Sequence, residues 1–153
     1  MIKKKPLMIS ILIPLAVGGL SALLTSSAMD TYDKVVRPPL SPPSTLFPIV
    51  WVILYLLMGI SSYIIYTDDC PTKESSLTVY AISLMANFLW PTLFFLAQAF
   101  WIAFICIIIL DLLVLLTIIY YSKCDKVAAY LQIPYLIWVL FATYLNLAIA
   151  ILN

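Results

Sequence analysis

The sequence predicts an all-α integral membrane protein, a bundle of five transmembrane helices with a long lid-like loop between helices 1 and 2. Of its 153 residues, 65% are hydrophobic and only 10% charged, and mean hydropathy is +1.12. One water-soluble core of this size cannot hide that much apolar surface. Five runs each approach the ~20 apolar residues that cross the hydrocarbon. Such runs must be helices, because an open strand would leave its backbone groups unpaired in lipid. No large soluble domain remains, so residues 1–153 read as a single transmembrane domain.

The first run, residues 6–27, follows Lys3, Lys4 and Lys5 and precedes Ser26-Ser27-Ala28. A secretory signal peptide is the alternative reading, but the run exceeds the ~7 to 15 residues of an ordinary signal core, which favours a retained helix. The loop at 28–46 contains Arg37-Pro38-Pro39-Leu40-Ser41-Pro42-Pro43-Ser44. Proline fixes φ and extends the residue before it, so this stretch is stiff without regular structure. At roughly 19 residues it is longer than a compact bundle needs, which favours a lid over a plain connector. Helices follow at 47–66, 77–98, 101–122 and 127–152. The short links at 98–101 and 122–126 make neighbouring helices antiparallel. No internal repeat of the transporter type is present.

Positive loops stay cytoplasmic. Lys3, Lys4, Lys5, Lys73, Lys123 and Lys126 fall on one side, against Lys34 and Arg37 on the other, so the expected placement is the cell membrane with the N-terminus inside and the C-terminus outside. Cys70 and Cys124 then lie in loops on the cytoplasmic side, where thiols stay reduced, and no disulfide is expected. The net charge of +1 gives no basic face for nucleic acid. With no histidine and no clustered cysteines or carboxylates, neither a metal site nor a resident cofactor is expected. A Ser-His-Asp triad is excluded.

Membrane proteins usually place Trp at the headgroup level, yet Trp90 and Trp138 fall near mid-span and Trp51 about one turn in. Trp51, Tyr55 and Met58 share a helical face, as do Asn87, Trp90 and Phe94 in the third span and Trp138, Ala142 and Asn146 in the fifth. An amide in hydrocarbon needs a partner, so Asn87 and Asn146 face either a neighbouring helix or a ligand. At ~1.5 Å per residue, Trp51, Trp90, Asn87 and Ala142 lie roughly 6 to 16 Å below the outer surface, under the lid. Trp138 would close the bottom. These stripes make either an aromatic pocket or ordinary core packing. Asp111, deep in the fourth span, is either a proton or cation relay or a buried carboxyl bonded to a neighbouring helix. Gly18 and Ala22 permit close helix contact.

The ordered set Pro42-Pro43-x-x-x-Phe47-x-x-x-Trp51-x-x-x-Tyr55-x-x-Met58-Gly59, Asn87-x-x-Trp90-Pro91-x-x-Phe94-Phe95 and Pro134-Tyr135-x-x-Trp138-x-x-Phe141-Ala142-x-x-x-Asn146 resembles the TspO/MBR family, the tryptophan-rich sensory or translocator proteins once called peripheral-type benzodiazepine receptors. The resemblance runs from Gly18-Gly19 to the end of the chain, and the short lysine-flanked chain looks like a bacterial member. It implies a homodimer in the lipid bilayer that binds porphyrins such as protoporphyrin IX, or isoquinoline- and benzodiazepine-type molecules, beneath the first loop. It maps Tyr32, Pro42, Trp51, Asn87, Trp90, Trp138 and Ala142 onto pocket positions. Asn146 joins them from the stripe on the fifth helix. Tyr32 stands where many relatives have Trp, and the fifth helix ends without the basic residue of the animal sterol pattern, which makes sterol a doubtful ligand.

Three functions compete. The first is a membrane receptor or sensor that stacks a tetrapyrrole on Trp51, Trp90 and Trp138. The second is an enzyme that degrades porphyrin in light and oxygen, with Trp51 and Trp138 as the catalytic, oxidisable residues. The third is a porphyrin transporter, ranked last because no polar stripe lines a pore.

Overall fold

The computed structural model describes residues 3–28 and 30–153. Helix α1 (Lys4–Thr25) ends in a 3-10 turn, and the loop after it carries a short helix α2 (Asp30–Lys34). Helices α3 (Leu46–Thr67), α4 (Lys73–Pro91), α5 (Phe100–Ser122) and α6 (Lys126–Leu152) complete the order. Five helices are long and apolar enough to cross a membrane, and no strand occurs among the described residues. The expected all-α five-helix bundle is therefore the observed architecture. Met29 of the loop lies outside the described residues.

Four spans begin and end within two residues of the sequence expectation, but the third departs at both ends. It starts at Lys73 rather than 77, because Lys73-Glu74-Ser75-Ser76 is helical yet too polar for a hydropathy criterion to register. At its other end Pro91 has no N–H to give the carbonyl one turn back. The chain widens into a π-helical turn over Thr92–Leu96, where Ala97 N–H donates to the Thr92 carbonyl at 3.0 Å. Gln98 at φ 52° then reverses the chain into α5. Such π turns are common where a helix is shaped around a site.

Helices α5 and α6 pair most extensively, followed by α1 with α3 and α4 with α5. Helix α1 is peripheral, with 11% of its apolar window buried against 33–39% in the other four spans. Two glycines let α1 and α3 approach closely. A Cβ on Gly59 would stand 2.6 Å from Ile11 Cα, so the backbones touch there. A Cβ on Gly18 would run into the Tyr55 ring.

Polar groups in the spans pair across helices. Ser61 Oγ donates to the Ala128 carbonyl at 2.7 Å and accepts from Gln132 Nε2 at 3.2 Å, which ties α3 to α6. Thr143 Oγ1 donates to Asp111 Oδ2 at 2.8 Å, across the α5/α6 contact. Asp125 caps α6 by accepting from Ala128 N–H at 2.8 Å.

The cysteine expectation is corrected. Cys70 and Cys124, 54 residues apart in sequence, form a disulfide with Cα atoms 5.3 Å apart. The sequence placed both loops on one face, but the expectation of free thiols came from the compartment alone. Antiparallel packing of α3 with α4 and of α5 with α6 brings the two links within bonding distance. Cys106 in α5 remains free and buried.

Candidate functional site: an aromatic cavity beneath a latched loop

The loop between α1 and α3 is fastened from both ends. Tyr32 on α2 is 2% exposed, its hydroxyl donates to the Pro42 carbonyl at 3.1 Å, and its ring meets the edge of Phe47 at 5.1 Å. Arg37 lies over the Tyr32 ring at 5.2 Å and pairs with Asp33 at 3.3 Å. Burial pushes the Tyr32 phenol up from its ordinary value, and the neighbouring Ser41 and Arg37 pull it back only in part. The phenol therefore stays protonated and able to donate at neutral pH. The far side of the loop is held by α6. Val36 N–H donates to Asn153 Oδ1 at 2.9 Å, Asn153 Nδ2 returns a bond to the Val36 carbonyl at 3.0 Å, and Tyr144 Oη donates to the Pro39 carbonyl at 3.0 Å.

Beneath this roof the helices contribute rings. Phe47, at the start of α3, sits between Tyr32 and Trp138, whose centroid is 5.8 Å away. One turn deeper Trp51 stacks on Tyr55 at 5.5 Å and meets the edge of Tyr135 at 6.2 Å. The end of α4 and the π turn that follows it present Trp90 and Phe95 at 6.2 Å, edge to face. Two amides fix these rings. Asn87 accepts from Tyr55 Oη and donates to Tyr135 Oη, both at 2.8 Å. Asn146 accepts from Trp90 Nε1 at 2.9 Å and donates to the Phe100 carbonyl at 2.8 Å.

Two spaces result. A cavity of about 230 Å³ opens between α1, α3 and the end of α4, with Trp51, Tyr55, Trp90 and Phe95 as its aromatic wall. Gly18, Ser21 and Ala22 line its α1 side. Beside it a cleft of only about 10 Å³ lies among Tyr32, Phe47, Trp90, Ala142 and Asn146. Phe47, Trp90 and Phe95 border both, so these three side chains are the partition.

The sequence-designated residues therefore divide. Trp51 and Trp90 face the open cavity, whereas Tyr32, Ala142 and Asn146 line the narrow cleft with Trp90. Pro42 holds the roof through its carbonyl. Asn87 lies behind the Trp51 wall, where both halves of its amide are engaged by tyrosines. Trp138 sits beyond Phe47, half-buried, with an Nε1 that has no hydrogen-bond partner.

Sequence reasoning missed the whole α1 wall. Gly18, Ser21, Ala22 and Thr25 recur at helical spacing, a small-residue stripe that was visible only as a helix-packing signal. Ser21 is 4% exposed and its hydroxyl has no partner, unlike Thr25, which donates back to the Ser21 carbonyl at 2.9 Å. Ser21 thus lines the cavity while its hydroxyl stays closed off from the open space and without a partner. No charged side chain lines this space, which suits a neutral, flat, largely apolar guest.

Comparison with known proteins agrees with the motif order. The chain is 39% identical over 148 residues to the "Tryptophan-rich protein TspO" of Archaeoglobus fulgidus, covering 96% of each chain. It is 36% identical to the protein of the same name from Chlorobaculum tepidum, covering 91% of this chain and 90% of that one. The "Translocator protein" of Ovis aries is 34% identical over 118 residues, 75% of this chain and 70% of its own. The sequence profile of the TspO/MBR family matches residues 10–152. The roof, the ring-lined walls and the five spans are thus held by a chain that matches one family over nearly its whole length, and this multi-pass membrane protein belongs to the TspO/MBR family.

Proposed function

We propose that this protein is a membrane receptor for flat aromatic molecules, porphyrins such as protoporphyrin IX and benzodiazepine- or isoquinoline-type compounds, taken up beneath the α1–α3 loop. The observation that carries this reading is an uncharged cavity walled by Trp51, Tyr55, Trp90 and Phe95 and closed on its α1 side by Gly18, Ser21 and Ala22. The family resemblance supplies the porphyrin class. A space of about 230 Å³ is below the ~300 to 1,000 Å³ of ordinary small-molecule sites, so a tetrapyrrole must displace the Phe47 and Phe95 side chains and merge cavity with cleft. Tyr32, Pro42, Trp51, Trp90, Trp138, Ala142 and Asn146 would then surround one guest, with Asn87 fixing the wall behind Trp51. The second copy implied by the resemblance and the N-in, C-out orientation complete the proposal.

Titration of the purified protein with protoporphyrin IX in the dark, followed by tryptophan quenching, tests it. Saturable binding weakened by both Ala142→Thr and Trp138→Phe supports the merged pocket. Binding indifferent to both removes it.

A second reading has an observation of its own. Trp51 lies on the cavity and stacks on Tyr55, so an easily oxidised indole would touch the guest, as porphyrin photodegradation requires. Repeated formation of a distinct product in light and oxygen, lost in Trp51→Phe with Trp138→Phe, supports catalysis. Equal bleaching by both proteins excludes it.

A further inference from the structure

At the opposite face, where α1 begins and α3 ends, a second groove of about 480 Å³ runs between α1, α3 and α4. It is larger than the cavity under the roof and shares no residue with it. Its chemistry changes with depth. Lys5 and Tyr66 stand at the mouth, and Lys73 Nζ lies 5.8 Å above the Tyr66 ring. Neither lysine has an ion-pair partner among the described residues. Roughly 7 to 10 Å further in, at 1.5 Å per residue, come Ser10 and Tyr80. Tyr80 is 5% exposed and its hydroxyl neighbours that of Ser62, which donates to the Gly59 carbonyl at 3.0 Å. Deeper still the lining is apolar, with Ile13 and Leu84.

We infer that this groove holds an anionic glycerophospholipid of the bilayer. Its phosphate sits between Lys5 and Lys73, its ester region lies against Ser10 and Tyr80, and one acyl chain lies along Ile13 and Leu84. The order of cations, hydroxyls and apolar side chains repeats the order of headgroup, ester and tail. A basic site between helices at a membrane face is the known form of acidic-lipid recognition.

Native mass spectrometry of the full-length protein, with phosphatidylglycerol and phosphatidylcholine of matched chains as probes, tests this inference. Wild type should retain one phosphatidylglycerol with about 25-fold preference, since each of the two lysines near an acidic headgroup contributes roughly a factor of five. Lys5→Gln with Lys73→Gln should abolish the preference. Ala81→Trp, which fills the exposed lip, should eliminate the adduct while thermal melting and porphyrin titration stay unchanged. Equal retention of both lipids by wild type would mean a general lipid coat and overturn the inference. So would an adduct that survives Ala81→Trp, or a dimer lost in that variant with lipid retention intact, which would assign the groove to a second copy.

Discussion

Asn87 and Ser21 represent opposite uses of a polar side chain in the spans. Asn87 is satisfied twice by tyrosines, so Asn87→Ala leaves two buried hydroxyls without their partner. In water such a loss costs about 1 to 3 kcal/mol, but interhelical hydrogen bonds in membranes average nearer 0.6. The expected loss is therefore about 1 kcal/mol, read as a lowered denaturation midpoint in detergent. Ser21→Ala removes a hydroxyl that bonds nothing, so it should leave the midpoint unchanged. A fall in stability would contradict that role. The sequence made the need for an Asn87 partner legible, because an amide in lipid demands one. It did not make Ser21 legible, since nothing in the chain separates a serine that bonds back to its own helix from one that does not. Tyr32 adds a pH dependence. Burial raises its folded pKa above the ordinary 10.0, so folding favours the protonated, donating phenol. That contribution is complete below the unfolded value and is lost only as pH rises through the folded one. Porphyrin affinity of Tyr32→Phe relative to wild type should accordingly be constant across about pH 6 to 9.

Helices α1 and α3 meet at two glycines with different consequences. At Gly59 a methyl would press on the α1 backbone, and overpacking of that kind costs about 1 to 3 kcal/mol. Gly59→Ala should lower the melting temperature. At Gly18 the obstacle is the Tyr55 ring, a side chain that also walls the cavity, so Gly18→Ala should chiefly reduce porphyrin affinity. Equal effects of the two substitutions on stability would contradict this distinction. The helices themselves were plain in the sequence, because continuous apolar length is a direct consequence of crossing lipid. The π turn after Pro91 was not, although the proline was visible. Whether a helix kinks, ends or widens there depends on what packs against it, here Phe100 on Phe94 at 5.2 Å and the Asn146 amide on Trp90.

Three aromatic stripes on three helices were legible in the whole chain, and their convergence beneath one loop was inferred from depth. The location of the open space was not. It lies against α1, whose composition gave no stripe of rings, and the region around Ala142 is closed by Phe47. The latch of the loop onto Asn153 was equally hidden, because it joins residues 117 positions apart. The cysteine pair carries a similar lesson. The lysine pattern led the sequence to expect reduced thiols there, whereas tertiary packing places the sulfurs within bonding distance. Neither Cys70 nor Cys124 should therefore react with a permeant maleimide until a reductant opens the bond. Reduction should then lower the melting temperature by well under the ~4 kcal/mol equivalent that a loop of this length gives in water, since the bilayer already confines both links.

The reading of the site rests on the space around Trp51, Phe47 and Ala142 accepting one flat guest. Dark titration with protoporphyrin IX of wild type, Phe47→Ala and Ala142→Thr addresses it directly. If the partition opens to merge the two spaces, Phe47→Ala should bind more tightly than wild type and Ala142→Thr more weakly, with saturable quenching in each. Identical affinities in all three proteins, or quenching that never saturates, would contradict a pocket beneath the loop and leave the aromatic stripes as bundle packing.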